Sequence, residues 1–442
     1  MRYLEVNRAP SLVLLAIFGA LTVSAAQSNT ARIDAAFQKF WLADSPEQAT
    51  RLADDVVKSG VTFDDAVARL KAGRRYTPQQ PGIVRLMNKT RDGFEHYFAV
   101  NIPDGYDPAR EYQVRFQLHG GVDGRADNQP RGSGAIGQLA GAEQIYVLPY
   151  SWRDAPWWSD DQVLNFDAIV DQLKRTYNVD ENRVVVAGVS DGGTGAYYIA
   201  MRATTPFASF LPLNGFIMVL ANETIDNGQN YVSNLRNKPM FVVNGGRDRL
   251  YPTSVVEPFT RHLMANGVTI DYHPQPEGEH NTAWWPQVKD IFEKFVAEHP
   301  RDPHPATLSW TAAVNAGHNR AHWLVIDEWG KREGEAVKLP DPNNVPVVGP
   351  MFDNLKPSGR VDLVRQGNTV EAATRGVTSF TLLLSSDRFD FAKPVTVIVN
   401  GRKAFEGRVE RSLKTLLKWA AIDNDRTMLY GAELKIKVPN GR

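Results

Sequence analysis

Ser190 is the residue from which chemistry can first be read. It lies in Gly188-Val189-Ser190-Asp191-Gly192, a Gly-x-Ser-x-Gly pattern. An apolar, β-branched run, Arg183-Val184-Val185-Val186-Ala187, precedes it, and Thr194 to Met201 follows with helical character. Strand, sharp turn and helix form the setting in which a serine is held in strained backbone geometry, its hydroxyl above the sheet edge. Glycines two places before and after the serine leave room for that turn. A serine hydroxyl is a weak nucleophile near neutral pH, so it needs a base beside it and a group that orients the base.

Both partners follow along the chain. Asp248 lies in the glycine-rich loop Asn244-Gly245-Gly246-Arg247-Asp248-Arg249, just past the strand-like run Pro239–Val243. His280 lies in Pro276-Glu277-Gly278-Glu279-His280-Asn281, just past the strand-like run Thr269–His273. Each falls at the carboxyl end of its strand, the sheet edge that also carries Ser190. In acyl transfer Ser190 attacks a carbonyl, and His280 takes and then returns the proton. Asp248 fixes the imidazole tautomer and stabilises the imidazolium. The rival acids are less well placed: Asp226 precedes a strand and Asp271 lies within one. The rival base His273 sits in an alternating strand and belongs on a sheet face.

An oxyanion needs preorganised N–H donors. One is expected from the backbone of Asp191. The second is expected from His119-Gly120-Gly121-Val122, which follows the strand-like run Tyr112–Leu118, through the amide of Gly121 or Val122. His119 reads as a brace for that loop. Trp157 and Trp158, in a proline-flanked loop, are expected to wall the substrate pocket, whereas Trp284 and Trp285 read equally well as packing between sheet and helix.

The elements that must position these residues can be traced from periodicity. Strand-like runs at Glu95–Ile102, Tyr112–Leu118, Gln144–Leu148, Arg183–Ala187, Pro239–Val243 and Thr269–His273 alternate with helical ones at Leu164–Tyr177, Val255–Asn266 and Trp284–His299. Alternation of this kind predicts an α/β class, a mostly parallel sheet flanked by helices. Ligands then bind beyond the carboxyl ends of the strands. Residues 27–81 read as a helical prefix and residues 82–300 as the catalytic domain. Residues 301–305, Arg301-Asp302-Pro303-His304-Pro305, read as a linker. Residues 306–442 read as a β-rich, sandwich-like accessory domain, in which Asn400-Gly401 between two β-like runs signals a hairpin.

Composition narrows the function classes. The chain has 442 residues, 43% hydrophobic and 23% charged, with Lys+Arg and Asp+Glu both at 50. Zero net charge and no basic run leave no electrostatic footprint for nucleic acid. Cysteine is absent, which excludes disulfides, cysteine-ligated metals and a thiol nucleophile. No cluster with metal-ligand spacing stands out, and Ser-His-Asp chemistry requires no cofactor. At the N-terminus Arg2 and Arg8 flank the start of an apolar run, Ser11 to Val23, followed by Ser24-Ala25-Ala26. The run is short for a membrane span. Residues 1–26 therefore read as a signal peptide cleaved after Ala26, giving a periplasmic or secreted protein that meets the membrane only transiently.

With these residues in place, residues 85–300 resemble an α/β-hydrolase domain. His119-Gly120-Gly121, Gly188 to Gly193, Asp248 and His280 match its parts in order. The texture is similar to secreted carboxylesterases of the feruloyl-esterase, polyhydroxyalkanoate-depolymerase and dienelactone-hydrolase-like groups, and to the prolyl oligopeptidase group. The resemblance implies a serine hydrolase acting on a small-molecule or polymer-linked ester, with peptide cleavage as the alternative. Two departures matter. Dienelactone hydrolases use a cysteine nucleophile, and this chain has none. The segment before residue 82 is too short for the β-propeller of prolyl oligopeptidases. A third reading makes residues 306–442 a polysaccharide- or protein-binding module, with hydrolysis incidental.

Overall fold

The computed structural model describes residues 29–90, 93–127, 139–221, 231–313, 317–330, 336–337, 351–353 and 358–439. The segment read as a signal peptide, and Asp226, lie outside the described residues.

Eight strands form the central sheet: β1 (Gly82–Lys89), β2 (Glu95–Ile102), β3 (Tyr112–Leu118), β4 (Ile145–Pro149), β5 (Val179–Val189), β6 (Ser209–Leu213), β7 (Met240–Gly245) and β8 (Ile270–Gln275). Their spatial order is β1-β2-β4-β3-β5-β6-β7-β8. The ladders from β4 through β3, β5, β6 and β7 to β8 are parallel, while β2 runs antiparallel to both its neighbours. Inner strands β4, β6 and β7 are buried at every position because both sheet faces are covered. Edge strand β1 instead alternates between half-buried and exposed residues.

The helices are α1 (29–41), α2 (Pro46–Lys58), α3 (Phe63–Ala72), α4 (Asp160–Thr176), α5 (Asp191–Arg202), α6 (Thr253–Ala265), α7 (Trp285–Glu298) and α8 (Leu413–Asp423), of which α4 to α7 cover the central sheet. One face of the sheet packs Phe116, Val186 and Val242 against Phe166 and Ile169 of α4, Tyr197 and Met201 of α5, and Phe259 and Leu263 of α6. On the other face Val185, Leu211, Phe241 and Val243 meet Val288, Phe292 and Phe295 of α7, with Trp284 and Trp285 beside them. Helix α4 begins before the Leu164 expected from sequence. Ser159 caps it by accepting from the Gln162 amide, and Asp160 and Asp161 complement its positive end.

Past residue 305 the chain is mainly β, in strands β9 (Thr307–Ala313), β10 (Arg320–Ala321), β11 (Leu324–Trp329), β12 (Ala336–Val337), β13 (Met351–Asp353), β14 (Ser358–Gln366), β15 (Thr369–Arg375), β16 (Val377–Leu384), β17 (Val395–Val399), β18 (Arg402–Gly407) and β19 (Ala432–Lys437). Two sheets, β10-β11-β16-β19 and β18-β17-β15-β14-β9, share one apolar core. Asn400 and Gly401 both take positive φ, 50° and 76°, at the β17–β18 connection. That is the backbone a two-residue hairpin turn requires. Trp310 and Trp323 fill the core, and their indole N–H groups donate to the carbonyls of His318 and Pro305. Trp329 donates to the Ala312 carbonyl. Trp310 and Trp323 belong to the core of the sandwich, and Trp329 packs against it.

The prefix packs at an unexpected place. Phe37, Phe40, Ala49, Val56 and Leu70 of α1–α3 form one core with Leu416, Leu417, Ala420 and Ala421 of α8. The start of the chain is thus seated on a helix near its end, and α2 makes its contacts with α8 rather than with the central sheet.

A buried polar seam ties these parts together. Asp425 accepts from Lys174 Nζ of α4 at 2.8 Å and from Arg301 Nη2 at 2.9 Å, with all three side chains almost wholly buried. Arg301 also donates to Oδ1 of Asn182, within β5. Arg426 forms a two-pronged pair with Glu181. Asn424 bonds both Arg74 of the prefix and Asp171 of α4. The segment 301–305, read from sequence as a linker, is therefore buried at Arg301 and His304 and clamped on both sides.

Burial by itself raises the Asp425 pKa, but the Arg301 and Lys174 cations override it and hold the carboxyl well below the usual carboxylate range. A depressed carboxylate contributes stability above its unfolded pKa and loses it as pH falls through the folded value. Asp425→Ala would strand two buried cations. Removing one member of such a group costs about 3–5 kcal/mol. Chemical denaturation at neutral pH should show that loss, and the gap between variant and wild type should narrow as the pH is lowered into the acid range.

Candidate active site

The elbow is built by close approach. Ser190 takes φ 56° and ψ −120°, a conformation that costs a residue with a side chain on the order of 1–3 kcal/mol. It is held by its own amide donating to the Leu213 carbonyl of β6 at 2.9 Å, while α5 starts immediately after it. A Cβ on Gly188 would collide with the Gly192 carbonyl, and a Cβ on Gly192 would collide with the Leu118 carbonyl of β3. The glycine spacing in the sequence is thus the clearance between strand, turn and helix.

Three loops converge on this serine. His280 Nε2 lies 2.8 Å from Ser190 Oγ, and His280 Nδ1 lies 2.7 Å from Asp248 Oδ2. A carboxylate only accepts, so Nδ1 carries the imidazole proton and Nε2 accepts from the serine hydroxyl. The Asp248 side chain is fully buried, and its Oδ1 accepts from the amides of Leu250 and Tyr251 at 2.8 and 2.9 Å. Those bonds leave Oδ2 for the imidazole. The Tyr251 ring stands edge-on to His280, centroids 5.6 Å apart, and touches Phe216. Burial, then the nearby Asp191 and Asp248 carboxylates, push the Tyr251 phenol pKa up. Asp271 pairs with His273, whose ring stacks on Phe241, so the rival acid and base stay with the sheet.

The loop after β3 lies directly against the serine: a Cβ on Gly120 would approach Ser190 Cβ to 2.9 Å. His119 sets its orientation. The Ser151 amide donates to His119 Nε2 at 3.1 Å. Nε2 is therefore unprotonated, and Nδ1 donates to the Gly120 carbonyl, 2.9 Å away. Burial lowers the His119 pKa and favours this neutral form. With the Gly120 C=O turned to the ring, the planar trans peptide points the Gly121 N–H the opposite way.

The expected oxyanion and pocket residues divide. The Asp191 amide heads α5, where the first N–H groups have no partner within the helix. Val122 is corrected: its N–H donates to Asp191 Oδ2 at 3.0 Å, so it is already committed. The Asp191 side chain thereby ties the Gly121 loop to the start of α5. Trp157 is corrected as well. It is 0% exposed, donates its indole N–H to the His119 carbonyl and lies against Gly195. It supports the loop from beneath instead of lining a pocket. Trp158 is half-buried and packs on the main core.

Sequence reasoning missed Asn214, which follows β6. It is fully buried at φ 47°, and its Nδ2 donates to the Asn281 carbonyl, next to His280, at 2.7 Å. The signal was the Asn-Gly pair Asn214-Gly215 after a short apolar run. A proline such as Pro212 within a run argues against a central strand. The β6–β7 ladder has just two partner pairs, Phe210 with Met240 and Leu213 with Val243, and Pro212 falls between them.

Known proteins resemble parts of this chain. No family model matches it. A bifunctional acetylxylan esterase/xylanase of Neocallimastix patriciarum is 26% identical over 163 residues, covering 35% of this chain and 22% of the relative. Feruloyl esterase C of Emericella nidulans is 28% identical over 181 residues, covering 38% of this chain and 63% of that protein. A probable feruloyl esterase C of Aspergillus terreus is 25% identical over 160 residues, or 34% and 57%. The matches thus span less than two thirds of each relative. Among solved structures, a ferulic acid esterase is 18% identical with a TM-score of 0.40, covering 50% of this chain and 99% of that one. The apo form of Thermogutta terrifontis esterase 2 is 16% identical with a TM-score of 0.41, covering 51% and 97%. By the order and direction of its central strands, and by the turn that carries Ser190 at the end of β5, this chain has the α/β-hydrolase fold.

Proposed function

We propose that this protein is an exported serine hydrolase that cleaves carboxylic esters through an acyl-enzyme on Ser190. The observation that carries this reading is the continuous relay from Asp248 Oδ2 through His280 to the Ser190 hydroxyl, with steps of 2.7 and 2.8 Å. In the forward half-reaction His280 Nε2 takes the hydroxyl proton as Oγ attacks the ester carbonyl. The amides of Asp191 and Gly121 bind the oxyanion. His280 then protonates the leaving alcohol, and water repeats the cycle on the acyl-enzyme. The strained Ser190 backbone supports the same reading, because strain of this kind is kept where it presents a nucleophile.

The substrate class is an ester carried on a small molecule or a polymer, supported by curated relatives whose names are feruloyl and acetylxylan esterases. Export is supported by the N-terminal segment described above, and among the described residues no helix is long and apolar enough to cross a membrane. N-terminal sequencing of protein recovered outside the cytoplasm should begin at Gln27. Recovery of intact Met1 there would overturn cleavage.

A fluorophosphonate probe should label wild type and spare Ser190→Ala, and that variant should lose turnover of p-nitrophenyl and feruloyl esters by roughly 10⁴- to 10⁶-fold. Matched amides should turn over far more slowly than the esters, and the reverse preference would make the enzyme a peptidase. Ser190→Gly, equally inactive, should be more stable than Ser190→Ala by about 1 kcal/mol, since glycine accepts the elbow backbone without strain. Equal stability of the two in thermal denaturation would show that no strain is stored at the elbow.

A further inference from the structure

The turn after β6 touches all three loops of the relay. Its Leu213 carbonyl accepts from the Ser190 amide at 2.9 Å. Its Asn214 amide donates to the Val243 carbonyl of β7, the strand that leads to Asp248, at 2.7 Å. Its Asn214 side chain donates to the Asn281 carbonyl at 2.7 Å. The His280 loop is held from the other side by the acid loop, where the Arg247 amide donates to the Gly278 carbonyl at 2.8 Å. His280 is therefore suspended between two anchors, one on each side of it in sequence.

The Asn214 amide has one usable orientation. Asn281 offers a carbonyl, which only accepts, so Nδ2 must face it. Asn214 Oδ1 is then left buried without a hydrogen-bond partner among the described residues. The residue also sits at φ 47°, a region that glycine adopts more easily. A side chain kept at a strained backbone position, with one polar atom orphaned to make one bond, is placed for that bond.

We propose that Asn214 is a positioning residue: its bond to Asn281 sets the approach of His280 Nε2 to the Ser190 hydroxyl. The proposal rests on the reading of Ser190 as nucleophile and His280 as base. It assigns Asn214 no contact with substrate. Its loss should therefore act on the reaction step and leave substrate binding alone.

The test compares Asn214→Gly, which suits the backbone and deletes the donor, and Asn214→Asp, which keeps the shape and turns an acceptor toward the Asn281 carbonyl. Asn234→Ala is the control, because Asn234 is likewise buried and its Nδ2 donates to the Met201 and Thr311 carbonyls, both at 2.9 Å, away from the His280 loop. A displaced catalytic group costs about a hundredfold per ångström. Both Asn214 variants should lose about ten- to a hundredfold in kcat on a p-nitrophenyl ester with KM within about twofold. Fluorophosphonate labelling should slow in parallel. Asn234→Ala should keep wild-type kcat whatever its thermal stability. Unchanged kcat in folded Asn214→Gly, an equal kcat loss in Asn234→Ala, or failure of both Asn214 variants to fold would each assign Asn214 to the scaffold alone and overturn the proposal. A Ser190→Ala protein that hydrolysed the ester like wild type would instead overturn the underlying reading, so the two failures are separate.

Discussion

The backbone of Ser190 is bent into a conformation that a residue with a side chain resists, and its surroundings exist to keep it there. The Leu213 carbonyl takes the serine amide, so β6 must lie beside β5 in register. The Gly192 turn must pass under the Leu118 carbonyl, so β3 must flank β5 on the other side. Helix α5 must start at once, which places the Asp191 amide beside the hydroxyl. A parallel sheet with β5 at its centre is the arrangement that meets all three demands. The loops that carry Asp248 and His280 arrive at the same edge because β7 and β8 run in the same direction.

The remainder of the chain is fastened to that sheet by charge as much as by apolar burial. The segment Asp423 to Thr427 reaches from the end of α8 into the base of the central sheet. There it meets Lys174, Glu181, Asn182 and Arg301. A buried ion cluster is a poor source of net stability compared with apolar contact, and a severe penalty once one member is lost. Its virtue is register: the carboxylates of Asp425 and Glu181 and the cations of Lys174, Arg301 and Arg426 fit in one relative placement of the parts. The prefix then closes over α8, so the sandwich cannot be cut away without baring the face that α1–α3 cover. A shortened chain ending near residue 305 would expose that face and strand Arg301.

What could be read from sequence follows from how local the cause is. The elbow, Asp248 and His280 were legible because each is fixed by a turn motif at the end of an apolar run. The Asn400-Gly401 hairpin was legible for the same reason. Trp157 was misread because a proline-flanked loop suggests exposure, whereas its burial comes from Gly195, which lies on another element and admits the ring. Val122 was misread because nothing local shows that Asp191 claims its amide across the site. Strand β6 is not among the runs traced from periodicity, and Asn214 goes with it. The burial of Arg301 depends on a partner 124 positions away, which no periodicity reveals.

Two histidines at the site show how surroundings divide one residue type between tasks. His280 is half-open, with a carboxylate on one nitrogen and a hydroxyl on the other. It can gain a proton on Nε2 while Asp248 faces the charge that forms. His119 is enclosed by Tyr150 and Trp157, with a backbone donor on Nε2 and a backbone acceptor on Nδ1. Protonation there would set an N–H against the Ser151 amide, so burial and bonding both favour the neutral ring. The loop beside Ser190 therefore rests on a histidine that must stay neutral, and the proposed reaction on one that must change charge. Enclosing the first between two aromatic rings and leaving the second half-open keeps the two requirements from interfering.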